Sequence, residues 1–322
     1  MINTKKILII GGDPNSINSE IIFKSWKKLS KSTRKKIYVI SNYELIKNQF
    51  KKLNYSINVQ KVKDINDHAS SNKLKIIDVH LNFKNPFKIA TNHNRKFILK
   101  SLNLGHKLSL EKNVMGLINC SINKNLLNKK KIGVTEYLSA KCDNDGSEAM
   151  LIWNKRLAVC PITTHLDVKD ISRNLTKKLI IKKIITIDKW FKKKFKKKVN
   201  IAVLGLNPHN AELREGSEEK KIIIPAIKKS KMKKINIDGP HVADTIFINN
   251  FKKYDVIVGM FHDQVLAPFK SMFKYNAVNI TLGLKYLRVS PDHGTASNLI
   301  GKNKANINSF LQCVKIIEKF GR

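Results

Sequence analysis

Short, uninterrupted apolar runs alternate along this chain with stretches whose apolar positions recur every three or four residues. Ile7–Ile10 and Ile37–Ile40 are of the first kind and read as strands buried on both faces. Glu20–Leu29 and Tyr43–Leu53 are of the second kind and predict helices, as does Asn94–Leu104 with Phe97, Ile98 and Leu102 on one side. Val114–Ile118 predicts another strand, running into the loop Asn119–Lys124. Further along, Leu157–Cys160, Ile201–Leu204 and Val256–Val258 repeat the buried-strand signature. Asp167 is placed to cap a long helix carrying Val168, Ile171, Leu175 and Leu179, and Ser217 with Glu218 and Glu219 to open another that Pro225 should kink or end. Residues 56–92 are polar and weakly patterned and yield no assignment. Alternating strands and helices predict an α/β chain built of βαβ units around a mostly parallel sheet.

Three of the strand runs are followed closely by a histidine between small polar residues. These are His165 in Thr163-Thr164-His165, His209 in Asn207-Pro208-His209, and His262 in His262-Asp263-Gln264. Open α/β sheets collect ligands at the carboxyl ends of their strands. Three imidazoles delivered there could converge on one metal ion and leave positions open for substrate. An ordinary polar loop is the competing reading of any one of them.

Composition narrows the picture. At 322 residues the chain is long enough for two domains, and its 42% apolar content is that of a folded protein. No apolar run reaches the length of a membrane span, and the start leads into only four apolar residues before Gly11-Gly12-Asp13, so a cytoplasmic protein is expected. Cys120, Cys142, Cys160 and Cys313 are widely spaced and form no Cys-x-x-Cys pair, which argues against a disulfide framework or a zinc knuckle. The formal charge of +38 suggests a polyanion partner, but it comes from 55 lysines against seven arginines, spread along the chain apart from a run at Lys189–Lys198. Nucleic-acid readers concentrate their charge and favour arginine for base contacts, so no specific nucleic-acid partner is expected.

An ordered set of short motifs resembles the 4-hydroxythreonine-4-phosphate dehydrogenase family of vitamin B6 biosynthesis. The set runs through Gly12-Asp13-Pro14, Ile122-Asn123-Lys124, Thr135-Glu136, Thr163-Thr164-His165 and Gly205-Leu206-Asn207-Pro208-His209. It continues with Glu218-Glu219, Gly239-Pro240, Ala243-Asp244-Thr245, His262-Asp263-Gln264, Val278–Gly283 and Asp292-His293-Gly294-Thr295-Ala296. The resemblance implies two α/β/α domains with the active site in the cleft between them, as in isocitrate and isopropylmalate dehydrogenases. It implies domains at 1–125 plus 289–322, on the nucleotide side, and at 126–288, on the metal, substrate and dimer side. It further implies a homodimer with shared active sites, NAD or NADP, and one divalent metal (zinc, cobalt, manganese or magnesium) per site. His165, His209 and His262 would be the ligands, with His262 reaching into the site of the partner subunit.

The family reaction oxidises the C3 alcohol of 4-phosphohydroxythreonine to a β-keto acid, which loses carbon dioxide. Asp244, Asp263 and Lys124 are then candidates for the base that takes the hydroxyl proton. Thr135, Lys270, Asn279 and Arg288 would hold the phosphate and carboxylate of this small hydroxy amino acid, Arg288 through its planar fork. Asp292, His293, Gly294, Thr295 and Ala296 would form the nucleotide loop. The chain departs from the family pattern at Val134, where a histidine is usual, in two glycine-rich loops, now Asn15–Ser19 and Asn210–Glu215, and at a Thr-Gly-Pro, now Asn119–Ser121. Two other readings follow: a sibling dehydrogenase for another phosphorylated hydroxy acid, or a catalytically decayed polyanion-binding protein.

Overall fold

The computed structural model describes residues 5–67, 72–127, 133–143, 146–248 and 250–321, without the side chain of Lys124. They form two compact units, Met1–Leu138 with Lys285–Arg322, and Ser139–Leu284. Unit 1 opens with β1 (Lys6–Ile10), β2 (Ile37–Ser41), β3 (Val59–Val62), β4 (Leu74–Asp78) and β5 (Val114–Asn119). Unit 2 carries β6 (Ala149–Trp153), β7 (Ala158–Pro161), β8 (Ile201–Leu204), β9 (Ile237–His241), β10 (Val256–Gly259) and β11 (Val278–Leu282). The chain returns to unit 1 with β12 (Arg288–Pro291). The predicted α/β class is the observed one.

In unit 1 the strand order is β3-β4-β2-β1-β5-β12, parallel throughout. Ile7, Leu8, Ile9 and Ile10 are at most 1% exposed, because helices cover both faces of a parallel sheet. The helix Thr91–Ser109 lies against β1 and β5, and Gly105 allows the approach: a Cβ there would stand 2.7 Å from Ile10 Cδ1. The helix Asn308–Phe320 packs over β12 and β5 with Phe310, Val314 and Ile317 inward. The unassigned stretch 56–92 holds β3 and β4.

In unit 2 the order is β11-β6-β7-β10-β8-β9, antiparallel at β11·β6·β7 and parallel from β7 to β9. Its core joins Ile152, Val159, Leu204, Ile257, Val265 and Phe269. The single long helix expected from Asp167 is two pieces. Leu175 turns extended (φ −81°, ψ 118°), and Thr176 starts a new helix, Lys177–Phe195, by accepting the Leu179 amide at 3.1 Å. Val168 is consequently 79% exposed. Pro225 does not end the helix; it sits where a wide turn, Glu219–Ile223, passes into the regular helix Ile224–Met232, a widening that accommodates its missing N–H. Among the described residues, no helix is long and apolar enough to cross a membrane.

Candidate active site

The three histidines leave the carboxyl ends of three neighbouring strands of unit 2. β10 lies between β7 and β8, with Gly259 opposite Pro161 and Val258 opposite Val203, so the three ends stand level. His262 opens the helix His262–Phe273, and His165 follows β7 by four residues. Their rings lie with centroids 6.4 Å apart, tilted by 35°. Asp263 Oδ1 is 2.6 Å from His262 Nδ1, a contact in which Nδ1–H donates to the carboxylate and Nε2 is the ring nitrogen turned elsewhere. His209 is not part of this pair; its side chain is 71% exposed, with Glu212 3.7 Å away. Among the described residues, no group of three histidine, cysteine or acidic side chains converges as a metal cage.

Main-chain contacts tie the three strand ends together. The Thr163 amide and hydroxyl both donate to Met260 O, linking the His165 and His262 loops. Gln264 accepts the Met260 amide at 2.7 Å and donates to Gly205 O at 2.7 Å, linking the His262 and His209 loops. A Cβ at Gly205 would fall 2.1 Å from Asn210 Oδ1, so a larger residue there would push the Asn210 side chain aside. Glu219, fully buried, accepts the amides of Leu206 and Asn207 on Oε1, both at 2.8 Å, and Asn207 Nδ2 on Oε2 at 3.0 Å. Thr163, Gln264 and Glu219 lie within recognised motifs, yet their part here shows only once the fold brings distant main-chain groups to them.

The turn that presents His209 is left-handed. His209, Asn210, Ala211, Glu212 and Leu213 have φ between 45° and 57° with no glycine among them. Left-handed backbone costs about 1–2 kcal/mol per L-residue, least for asparagine. This is one of the loops where the sequence departs from a glycine-rich family pattern, and its conformation is one that glycine would adopt without strain.

Unit 1 gathers side chains around a buried arginine and joins several of its loops. Arg288, on β12, is 2% exposed; its Nε donates to Asn119 Oδ1 at the end of β5, and Nη1 donates to Thr135 Oγ1 at 3.2 Å. Burial pushes its guanidinium down to about 10, while Tyr286 and Glu136 act to hold it up, so it stays charged near neutrality. Two of the four predicted substrate residues, Thr135 and Arg288, are thus in contact. Asp13, buried in the first turn, accepts the Asn15 amide and Asn94 Nδ2, and lies 3.4 Å from the Asn123 amide. Asn18 and Ser121, both at departures from the family pattern, exchange two hydrogen bonds: Asn18 Nδ2 to Ser121 O and Ser121 Oγ to Asn18 Oδ1. The Ile17 amide reaches Thr295 O, which joins the first turn to the loop Asp292–Ala296. In that loop His293 Nδ1 is 2.8 Å from Gly294 O, leaving buried Nε2 as an acceptor without a partner among the described residues. Burial lowers the His293 pKa and keeps the ring neutral.

The remaining predicted residues are dispersed. Lys270 is exposed near the end of the helix His262–Phe273, and Asn279 lies half-buried on β11 with Oδ1 unpartnered among the described residues. Asp244 is exposed on the short helix Ala243–Ile246, and the Lys124 side chain lies outside the described residues.

A profile of the family described as "Pyridoxal phosphate biosynthetic protein PdxA" matches residues 33–317. A protein named 4-hydroxythreonine-4-phosphate dehydrogenase from Sulfurihydrogenibium sp. is 38% identical over 319 residues, covering 97% of both chains. One of the same name from Aquifex aeolicus is 37% identical over 320 residues, covering 98% of both. The crystal structure of 4-hydroxythreonine-4-phosphate dehydrogenase from Klebsiella pneumoniae superposes with a TM-score of 0.84 at 26% identity, covering 98% of this chain and 97% of that one. Isocitrate dehydrogenase from Methylococcus capsulatus, at 9% identity and a TM-score of 0.52, shares the fold; the match covers 98% of this chain and 85% of that one. Matched along most of its length by the profile and end to end by these relatives, the chain belongs to the pyridoxal phosphate biosynthetic protein PdxA family.

Proposed function

We propose that the chain oxidises the C3 alcohol of 4-phosphohydroxythreonine with NAD or NADP and a divalent metal, and releases carbon dioxide to give 3-amino-2-oxopropyl phosphate. The observation that carries this reading is the His165–His262 pair at the level ends of β7 and β10, beside the strand that delivers His209. The two imidazoles, one oriented by Asp263, would have to draw somewhat closer than 6.4 Å to share a tetrahedral zinc or cobalt ion, and substrate oxygens would complete the shell for manganese or magnesium. When bound, the metal supplies Lewis-acid polarisation of the substrate oxygen and the nicotinamide accepts two electrons.

The protein's own groups divide the remaining work. Arg288, aided by Thr135, binds a substrate carboxylate or phosphate, with Lys270 and Asn279 as further anion and polar contacts. Asp263 orients His262, which leaves Asp244 and Lys124 as the candidates for the base. The loop Asp292–Ala296 takes the nucleotide, and the vacant acceptor at His293 Nε2 suits a donor on it. The resemblance gave the partner's site to His262; pairing of His165 with His262 within one chain favours His209 as the ligand that crosses in a homodimer. Exposed Leu166 and Val168 beside His165, and Leu213 beside His209, are apolar side chains a second protomer would cover. The cytoplasm remains the proposed compartment.

The test supplies 4-phosphohydroxythreonine, NAD or NADP, and each of the four metals, and follows reduced nicotinamide together with carbon dioxide. Both should form in equal amounts; a folded protein that yields neither would overturn the proposal. Val134 and the altered loops favour a second reading, a different phosphorylated hydroxy acid. A phosphorylated erythronate turned over in preference to the threonine derivative would select it. In that case Val134→His should restore threonine-substrate activity about tenfold, or about 1.4 kcal/mol.

A further inference from the structure

The His209 side chain is 71% exposed, with Glu212 of the same turn 3.7 Å away, so its direction follows the backbone that carries it. That backbone is a left-handed turn of five L-residues, His209–Leu213, entered from Pro208, which has no N–H to donate. Immediately upstream, three N–H donors of Leu206 and Asn207 converge on the carboxylate of Glu219. Downstream, Asn210 Nδ2 reaches Pro240 O at 3.0 Å. A fully buried carboxylate requires donors of this kind, and these donors belong to the two residues that lead into the turn. We propose that Glu219 is a positioning residue: its carboxylate clamps the end of β8 and holds the strained turn in the orientation that presents His209. This rests on the reading of His209 as a metal ligand.

Chemistry singles out the carboxylate. An amide at this position offers one acceptor oxygen and one N–H group, and the N–H group would face the Asn207 side-chain donor. Without the clamp, the entry to the turn is held only by the Asn207–Glu218 contact, and the turn itself by the Asn210–Pro240 bond and its own main-chain bonds. Its strained residues are then freer to relax toward right-handed backbone, which turns His209 away.

The experiment uses the full chain, with zinc affinity measured by competition against a chelator and amide hydrogen exchange followed across 204–213. Glu219→Gln should bind zinc at least tenfold more weakly and speed exchange at Leu206 and Asn207 at least tenfold, with the fold retained. Glu219→Asp, which keeps the charge, should fall between this variant and the parent, and serves if the glutamine variant does not fold. Adding Glu212→Gly, which relieves the turn, should recover much of the loss in Glu219→Gln and none of the loss in His209→Ala. The inference is overturned if Glu219→Gln speeds exchange yet binds zinc normally while His209→Ala does not, or if exchange is unchanged. If His209→Ala itself binds zinc normally, the metal reading fails and the positioning role falls with it.

Discussion

Arg288 and Lys75 are both cations inside unit 1, and their surroundings give them opposite meanings. Arg288 donates to Asn119 and Thr135 while Glu136 helps to hold its charge, and in the proposed function that charge meets the substrate's anionic group. Arg288→Lys cannot reproduce the fork, and kcat/KM should fall by roughly 10- to 100-fold, measured by initial rates on the threonine substrate. Lys75, 1% exposed on β4, donates to Lys35 O and lies 4.1 Å from the Tyr38 ring centroid. Burial, then repulsion from Lys6, lowers it to about 8. Because the folded state binds this proton less tightly than the unfolded state, the penalty is complete below pH 8 and is relieved as pH rises toward 10.5. Lys75→Met should therefore be more stable than the parent at pH 7, by about 1 kcal/mol, with the gap closing above pH 10; urea unfolding at several pH values reads it directly.

At the scale of elements, strain in the His209 turn makes a counter-intuitive forecast. Glu212→Gly, at an exposed position with φ 45°, should stabilise the protein by about 0.5–1 kcal/mol despite the added freedom of the unfolded chain, as seen in the denaturation midpoint. The missing glycines are visible in the sequence, but the left-handed conformation of the residues that replace them is not. Strand legibility divides in the same physical way. β1, β2, β8 and β10 are buried on both faces and therefore read as unbroken apolar runs. β3 (VQKV) is an edge strand, while β9 (IDGPH) and β12 (RVSP) mix polar residues with site residues, so periodicity could not find them. The break at Leu175 has no local signature, because Thr176 reads equally well as a residue inside a helix and as a cap. In the candidate site, strand-then-histidine spacing brought out His165 and His262, and motif position brought out Thr135 and Arg288. The roles of Gln264, Thr163 and Glu219 depend on main-chain partners from distant segments, which no local pattern encodes.

For the whole molecule, the lysine excess and the proposed dimer each give a forecast. DNA adhesion should be strong at low salt and collapse by physiological ionic strength, as filter binding or anisotropy will show, because spread lysines supply counterion release without a built groove. Mixing His165→Ala and His209→Ala protomers should revive about half the sites in each heterodimer if His209 crosses, since one site then carries both lesions and the other neither. The His165→Ala and His262→Ala mixture should recover nothing, and the reverse pattern would return the crossing role to His262. The most direct measurement strips the purified protein with a chelator, adds back zinc, cobalt, manganese or magnesium, and follows reduced nicotinamide formed from 4-phosphohydroxythreonine. Activity should vanish on stripping, return with about one metal per protomer, and fail to return in His165→Ala or His262→Ala. Undiminished turnover by metal-free protein, or by either histidine variant, would contradict the account.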